Sequence, residues 1–507
     1  KISIAKIPVA TASPLHSPKI TSENQKYKFF DDRIQQQIPV LGVLFSAPLV
    51  YQEKDTLIMK PMPMLDFDLE RMLVEQVIRR SNRKIELMFE YASTRALRNM
   101  VTLGHRALHF SGHGFKDSLA FEDEHGGLHM VVVNQLRHLC AAGGRNNSKG
   151  SSGSSKGQEG TASSSRSNDK GVQFVFVSAC YSQSAGEAFV QAGIPHVVCV
   201  SVDSNLLDKA AQEFTHAFYL SLAVGGTVAD SFEIGVEAVK SAPRMANAIK
   251  EGEKFLLLPR DGDHNVPIFA NAPIRNLSKP GLTRTKSGQK LTRTSSGSFS
   301  DLGKLLPSVP DNFLGRNVDM YRVMGYTKER RVVTLLGPEG SGKSALAIAT
   351  ANYIDERSES FIDGIYFIRL AGVTGAELES TICEAIGYST SKRKRLIQYM
   401  RKKSLLLVLD QVDTKLVSSK EFRSFLQLLL DKTKANVLFT SKSRIGLTND
   451  EQCYSLQPLS IEDEGRLFFL RSPFQRREWL SKRKVPNEIL GNSIHNVCNG
   501  NPGKIVK

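Results

Sequence analysis

The chain has 507 residues, 41% of them hydrophobic, and a formal net charge of +16 from 67 Lys and Arg against 51 Asp and Glu. At about 100–200 residues per domain, that length holds two to three domains with apolar side chains enough for ordinary cores. The six cysteines, Cys140, Cys180, Cys199, Cys383, Cys453 and Cys498, are scattered without a CxxC pair, which argues against a zinc site or a disulfide framework. No apolar run approaches the roughly 18 residues of a membrane span. There is one Trp, and no stretch interleaves basic with aromatic residues, so no nucleic-acid partner is expected. The positive excess sits in linkers and on solvated helix faces. No secretory signal is visible, and residue 1 is Lys, so the natural N-terminus is expected to lie upstream. The expected location is cytoplasmic, with reduced thiols.

Residues 1–36 read as a polar, Pro-punctuated and disordered tail. Val40 to Phe45 is a buried-strand run. Leu65 to Arg80 has helical spacing, with Leu69, Met72, Leu73 and Val77 on one face. Lys84 to Tyr91 is a strand and Ser93 to Val101 a helix. The run from Arg106 is a strand ending on His113. Leu119–Phe121 and Leu128–Val131 flank Glu124-His-Gly-Gly127 as a hairpin, and Val133 to Cys140 is helical. Residues 143–171 are rich in Ser, Gly, Lys and Asn, bury nothing, and read as a disordered insertion.

A strand from Phe174 then ends on Cys180. A helix (Ser182 to Gly193), a strand (His196 to Val202), two helices (Leu206 to Ala223 and Val228 to Ser241) and a closing strand (Lys254 to Leu258) follow. Alternating strands and helices imply a mostly parallel sheet with helices on its faces. Residues 272–310 form a basic Ser/Thr-rich linker with a repeat, Leu282-Thr-Arg-Thr-Lys-Ser-Gly288 and Leu291-Thr-Arg-Thr-Ser-Ser-Gly297. Arg293 precedes Ser295 and Ser296 at the spacing basophilic kinases favour; a plain flexible spacer is the other reading. From residue 311 strands and helices alternate again to 507.

His113 and Cys180 each stand just past an apolar strand. Groups there line the crevice of a parallel α/β sheet. If the two strands are neighbours, an imidazole faces a thiol, the minimum apparatus for nucleophilic acyl transfer. The alternative is a thiol that packs as a small hydrophobe. His105, His109 and His113 recur every four residues. On a strand that is about 13 Å, too far to share an ion, so His109 and Cys199 read as core.

Gly337-Pro338-Glu339-Gly340-Ser341-Gly342-Lys343-Ser344 fits the P-loop pattern between a strand, Arg331 to Leu336, and a helix from Ser344. Glycines let backbone N–H groups close around phosphate, and the helix N-terminus adds its dipole. Lys343 would reach the β- and γ-phosphates; Ser344 would hold Mg²⁺. Ser404 to Asp410 is an apolar strand ending on a carboxylate, the Walker B arrangement for the metal. Gln411 stands where an acid commonly polarises water, so hydrolysis of ATP is expected to be slow.

The downstream half resembles the NB-ARC branch of the STAND ATPases, the switches of apoptotic and plant immune receptors. Phe313-Leu314-Gly315-Arg316 resembles the opening motif that touches adenine. Val437 to Lys442 resembles the sensor strand, with Lys442 where the family has Arg and Arg444 two residues on. Leu459 to Phe469 resembles the next helix, and Cys498-Asn-Gly-Asn-Pro502 the motif contacting the base. The resemblance implies ATP/ADP with Mg²⁺, self-association on activation, and sensor repeats that would follow residue 507 and bind an upstream ligand.

The upstream half resembles the CHAT domain, a relative of caspases and separases. His109-Phe-Ser-Gly-His-Gly114 and Val177-Ser-Ala-Cys-Tyr-Ser182 resemble its catalytic blocks; Ala192 to Val198, Phe218-Tyr219 and Gly225-Gly226 resemble its later signature. The resemblance implies a His113–Cys180 dyad, with N–H groups of Gly114 and Cys180 as an oxyanion hole. Relatives that cut after basic residues often carry Asp two before the Cys; here it is Ser178, which gives basic specificity no support.

The expected fold is α/β: a caspase-like α/β/α sandwich over 37–271, then a P-loop NTPase α/β/α three-layer domain over 311–507. The expected function is an ATP/ADP-switched signalling protein, of the cell-death and innate-immunity kind, with a CHAT cysteine-endopeptidase effector acting on a protein substrate. The alternative is a nucleotide-switched scaffold whose CHAT domain is a non-catalytic adaptor.

Overall fold

A computed structural model of the chain describes residues 38–141, 171–275, 306–473 and 486–506, except 55, 64, 66, 202, 205, 358–359, 389–391 and 448. The tail, nearly all of the 143–171 insertion, and the 282–297 repeat with Ser295 and Ser296 lie outside the described residues.

The strands in chain order are β1 (Val40–Phe45), β2 (Val50–Gln52), β3 (Met59–Pro61), β4 (Glu86–Tyr91), β5 (Ala107–Ser111), β6 (Gly114–Phe115), β7 (Ser118–Glu122), β8 (Leu128–Val132), β9 (Phe174–Ser178), β10 (His196–Val200) and β11 (Phe255–Leu258). Six of them make one sheet in the order β11-β10-β9-β5-β1-β4. Its pairs are parallel except β10–β11, which is antiparallel. β6, β7 and β8 form a separate antiparallel sheet; β2 pairs with β3, and its Val50 also bridges Gly127.

Side chains alternate across a strand, so each buried strand feeds two cores. Leu41, Val43 and Phe45 of β1 join the helices Phe67–Arg80, Asp208–Val224 and Val228–Lys240 on one face. Leu44 joins the helices Thr94–Thr102, Val133–Ala141 and Gln183–Gln191 on the other. This is a three-layer α/β/α arrangement. Two details differ from the sequence reading. The first helix buries Val74, Val77 and Ile78 and leaves Met72 39% exposed, because its stripe is turned toward Val74 and Ile78. The strands end at Ser111 and Ser178, two residues before His113 and Cys180, which therefore ride on loops.

The second sheet contains β12 (Val332–Leu336), β13 (Gly364–Arg369), β14 (Leu405–Val412), β15 (Asn436–Ser441) and β16 (Gln452–Ser455), in the order β13-β14-β15-β12-β16, every pair parallel. The helices Leu378–Ile386, Arg393–Met400 and Lys420–Lys432 cover one face. The helices Asn317–Glu329 and Lys343–Arg357 cover the other. That last core also takes in Leu49 and Val50, from the β2–β3 hairpin of the first half. The sequence reading had no element there, since a three-residue strand carries too little periodicity to see.

Candidate functional site

β5 and β9 are direct neighbours, with Ser111 beside Ser178 in register. The loops beyond them open into one cleft of about 310 Å³, lined by His113, Gly114, Cys180, Glu70, Ser178 and Asp208 among others. His113 Nε2 lies 2.9 Å from the Pro63 carbonyl. A carbonyl only accepts, so Nε2 carries the proton and Nδ1 is left as the basic nitrogen. Cys180 Sγ accepts the Leu206 N–H at 3.3 Å, which fixes the thiol at the cleft wall. Tyr181, the next residue, has φ 54°, a left-handed conformation that turns the chain sharply behind the thiol.

The glycines around His113 are needed for the approach of these loops. A Cβ on Gly114 would stand 2.0 Å from the Cys180 carbonyl oxygen, and one on Gly112 2.5 Å from the Ser46 side chain. Burial pushes the thiols of Cys140 and Cys199 up to about 12, so neither is a nucleophile at neutral pH. His109 is buried between Tyr219, 3.0 Å from Nδ1, and Glu70, 2.9 Å from Nε2. Glu70, Pro63 and Leu206 carry no local sequence signal; tertiary folding alone brings them here.

In the second half, β12 runs into the P-loop and on into the helix Lys343–Arg357. Gly340 and Gly342 have φ of 78° and 96°, so other residues would strain this cradle. Lys343 Nζ bonds the carbonyls of Gly337 and Pro338 at 2.8 and 2.7 Å. Burial, then neighbouring Lys442, lower its pKa. Asp410 is wholly buried; Oδ1 accepts from Thr440 at 2.6 Å, while Oδ2 has no hydrogen-bond partner. Arg369 Nε stands 3.9 Å from Oδ2; a buried carboxylate oxygen without a hydrogen bond near this cradle fits a phosphate-bound Mg²⁺. Gln411 has φ 60° and donates its N–H to Thr440 at 2.8 Å.

Lys442 faces the P-loop through Glu339, at 3.1 Å. Arg444 does not: it pairs with Glu451 at 3.2 Å. Burial works against the Glu451 charge, but Thr334, the Ile445 and Gly446 N–H groups and Arg444 hold it below the usual carboxylate range. Arg316 is buried and reaches the Gln457 and Ser341 carbonyls at 2.8 and 3.3 Å, so its guanidinium braces the P-loop backbone. Gly315 (φ 70°) lies against Asp463, beside Leu314. Asn501 Nδ2 donates to the Glu339 carbonyl at 3.0 Å and Gly503 N to the Gly340 carbonyl at 2.9 Å, which seats the turn containing Pro502 on the loop.

The P-loop helix ends against the first half. Arg357 Nε donates to Glu122 at 2.9 Å, and its guanidinium lies 3.2 and 3.7 Å from the ring centres of Tyr91 and Tyr353. Burial alone would lower the Arg357 pKa; Tyr353, Glu122 and Tyr91 instead raise it above its ordinary range. Tyr353 also donates to Glu122 at 3.0 Å, and Tyr91 to Glu356 at 2.7 Å. Glu122 ends β7; two residues earlier, Ala120 N donates to the His113 carbonyl at 3.0 Å. The described residues contain no helix long and apolar enough to cross a membrane and no group of three or more His, Cys, Asp or Glu placed to hold a metal ion.

Residues 12–238 match the CHAT domain. The uncharacterised protein Rv0894 of Mycobacterium tuberculosis and the uncharacterised protein Mb0918 of Mycobacterium bovis are each 29% identical over 164 residues, 31% of this chain. The matched region spans 40% of the length of these relatives. Among solved structures, the Arg-specific cysteine proteinase gingipain R is similar at 11% identity over 49% of this chain and 54% of its own, with a TM-score of 0.28. The STAND protein PH0952 of Pyrococcus horikoshii, with a tetratricopeptide repeat sensor, is similar at 16% identity over 39% of this chain and 30% of its own, with a TM-score of 0.23. The chain thus carries a CHAT-domain match from β1 to β10, ahead of a P-loop between strand and helix in its second sheet.

Proposed function

We propose that this chain is a cysteine endopeptidase of the CHAT kind under the control of an ATP/ADP-binding STAND-like half. The observation that carries this reading is the convergence of His113 and Cys180, from paired strands, on one cleft. His113 Nδ1 takes the Cys180 proton, and the thiolate attacks the carbonyl carbon of a peptide bond. The N–H groups of Gly114 and Cys180 hold the developing oxyanion. The protonated imidazole gives its proton to the leaving amine, and the thioester formed on Cys180 is then hydrolysed by a water that His113 deprotonates.

ATP or ADP with Mg²⁺ would be held at the P-loop by Lys343, Ser344 and Asp410 and would supply charge there. Control of the effector is supported by the Arg357–Glu122 contact, which joins the P-loop helix to the strand bonded to the His113 carbonyl. Programmed cell death or immunity, a partner ligand, and self-association belong to the same proposal. The test incubates the full protein, wild type and Cys180→Ala, with a diverse peptide library in ATP and in ADP. Cleavage that depends on Cys180 and on the nucleotide is expected. No cleavage by either, with ATP-dependent partner binding retained, would make the CHAT half a non-catalytic adaptor.

A further inference from the structure

The cleft beside Cys180 has a floor that the catalytic reading leaves unused. Ser111 and Ser178 stand side by side at the ends of β5 and β9. Glu70, from the first turn of the helix Phe67–Arg80, reaches over them. One of its oxygens accepts from the Ser111 hydroxyl and the other from His109 Nε2 at 2.9 Å. Asp208 stands at the exposed rim, and Leu65 and Leu206 supply apolar wall. Among the described residues lining the cleft there is no Lys or Arg.

Burial raises the Tyr219 pKa well above its ordinary value, so the hydroxyl keeps its proton. The hydroxyl lies 3.0 Å from His109 Nδ1. Nε2 faces a carboxylate oxygen and donates its proton to Glu70. Each Glu70 oxygen thus meets one donor and has a lone pair to spare. Beside it, Ser178 is only 8% exposed and lines the cleft. Its hydroxyl faces the cleft, where it is open to a ligand.

We infer that this cleft takes the cationic side chain of a Lys or Arg residue in a peptide, the residue before the scissile bond, with Glu70 as the specificity-determining carboxylate. The inference rests on the peptidase reading. Leu65 and Leu206 pack the aliphatic stem, Glu70 accepts from the ammonium or guanidinium head, Ser178 accepts a further N–H, and Asp208 adds attraction at the mouth. The charge that Ser178 does not provide comes from another element of the fold.

The test reads covalent labelling of Cys180 by mass spectrometry in the full protein, with ATP and with ADP. The probes are peptidyl acyloxymethyl ketones alike except for the last residue: Arg, Lys, norleucine or Asp. Arg and Lys probes are expected to label about tenfold or more faster than norleucine, the scale of a charge-assisted hydrogen bond, and Asp slowest. Glu70→Gln should collapse the Arg-to-norleucine ratio, and Asp208→Asn should lower it less. If Glu70→Gln fails a thermal-melt check, Ser178→Ala takes its place and should also lower the ratio. Norleucine labelling as fast as Arg, or a ratio unmoved by these variants, overturns the specificity while Cys180 still reacts. No labelling by any probe in either nucleotide overturns the peptidase reading itself.

Discussion

Arg357 and Glu122 form a buried ion pair, 2.9 Å apart with side chains 13% and 4% exposed, that joins the two sheets of the chain. Removing one partner leaves the other charged and out of water, at a cost of about 3–5 kcal/mol. Arg357→Ala is therefore expected to lower the thermal stability of the contact between the halves. ATP should still bind, because the P-loop lies at the far end of a 15-residue helix about 22 Å long. The difference in Cys180 alkylation rate between ATP and ADP should vanish. A difference preserved in Arg357→Ala would mean that coupling runs elsewhere.

Gly114→Ala should cost both packing and chemistry. The new methyl would meet the Cys180 carbonyl oxygen at 2.0 Å, so the His113 and Cys180 loops must separate. A misplacement on the order of 1 Å at a reacting pair costs about 10²-fold in rate. Peptidase kinetics beside a melting curve will separate the two effects, and wild-type kcat/KM in the variant would remove Gly114 from the site.

Much of this site was legible before folding, for a physical reason. The apolar runs Ala107–Ser111 and Phe174–Ser178 leave little but a buried strand, and a polar residue just past such a strand lies at a sheet edge. Glu70 was not legible. It sits in the first turn of an amphipathic helix, where an acid usually means no more than dipole compensation. Arg444 stands after the sensor strand, where a phosphate contact is expected, and its partner in the structure is buried Glu451, which no local pattern announced. Glu122 and Arg357, far apart in sequence, gave no sign that they meet.

Lys343→Ala should abolish ATP and ADP binding in calorimetry, since it removes the cation at the P-loop. Asp410→Asn should act more narrowly. Its Oδ2 makes no hydrogen bond and is free to ligate a divalent ion, so Mg²⁺-dependent tightening should fall by about tenfold or more while binding in EDTA changes little. Equal losses with and without Mg²⁺ would remove Asp410 from the metal site.

The His196–His264 pair should set an acid limit on the first half. The two Nδ1 atoms are 2.9 Å apart, so one donates to the other and both cannot be protonated. Burial, then His264, pull the His196 pKa down to about 4, with Asp263 opposing. The unfolded chain titrates near 6.5, so it takes up the proton first as pH falls. The stabilisation is whole above about pH 6.5 and is lost as pH drops toward 4. Tm measured across that window should decline less in His196→Gln than in wild type; parallel curves would sink the assignment.

The seat of Asn501 and Gly503 on the P-loop has a mechanical meaning. Two hydrogen bonds tie the Glu339 and Gly340 carbonyls to the turn that opens the short helix Pro502–Val506. A tug on that helix would pull directly on the backbone that grips phosphate, with no lever between. Conversely, each filling or emptying of the cradle would be felt as a displacement of the helix, which makes it a natural handle for force.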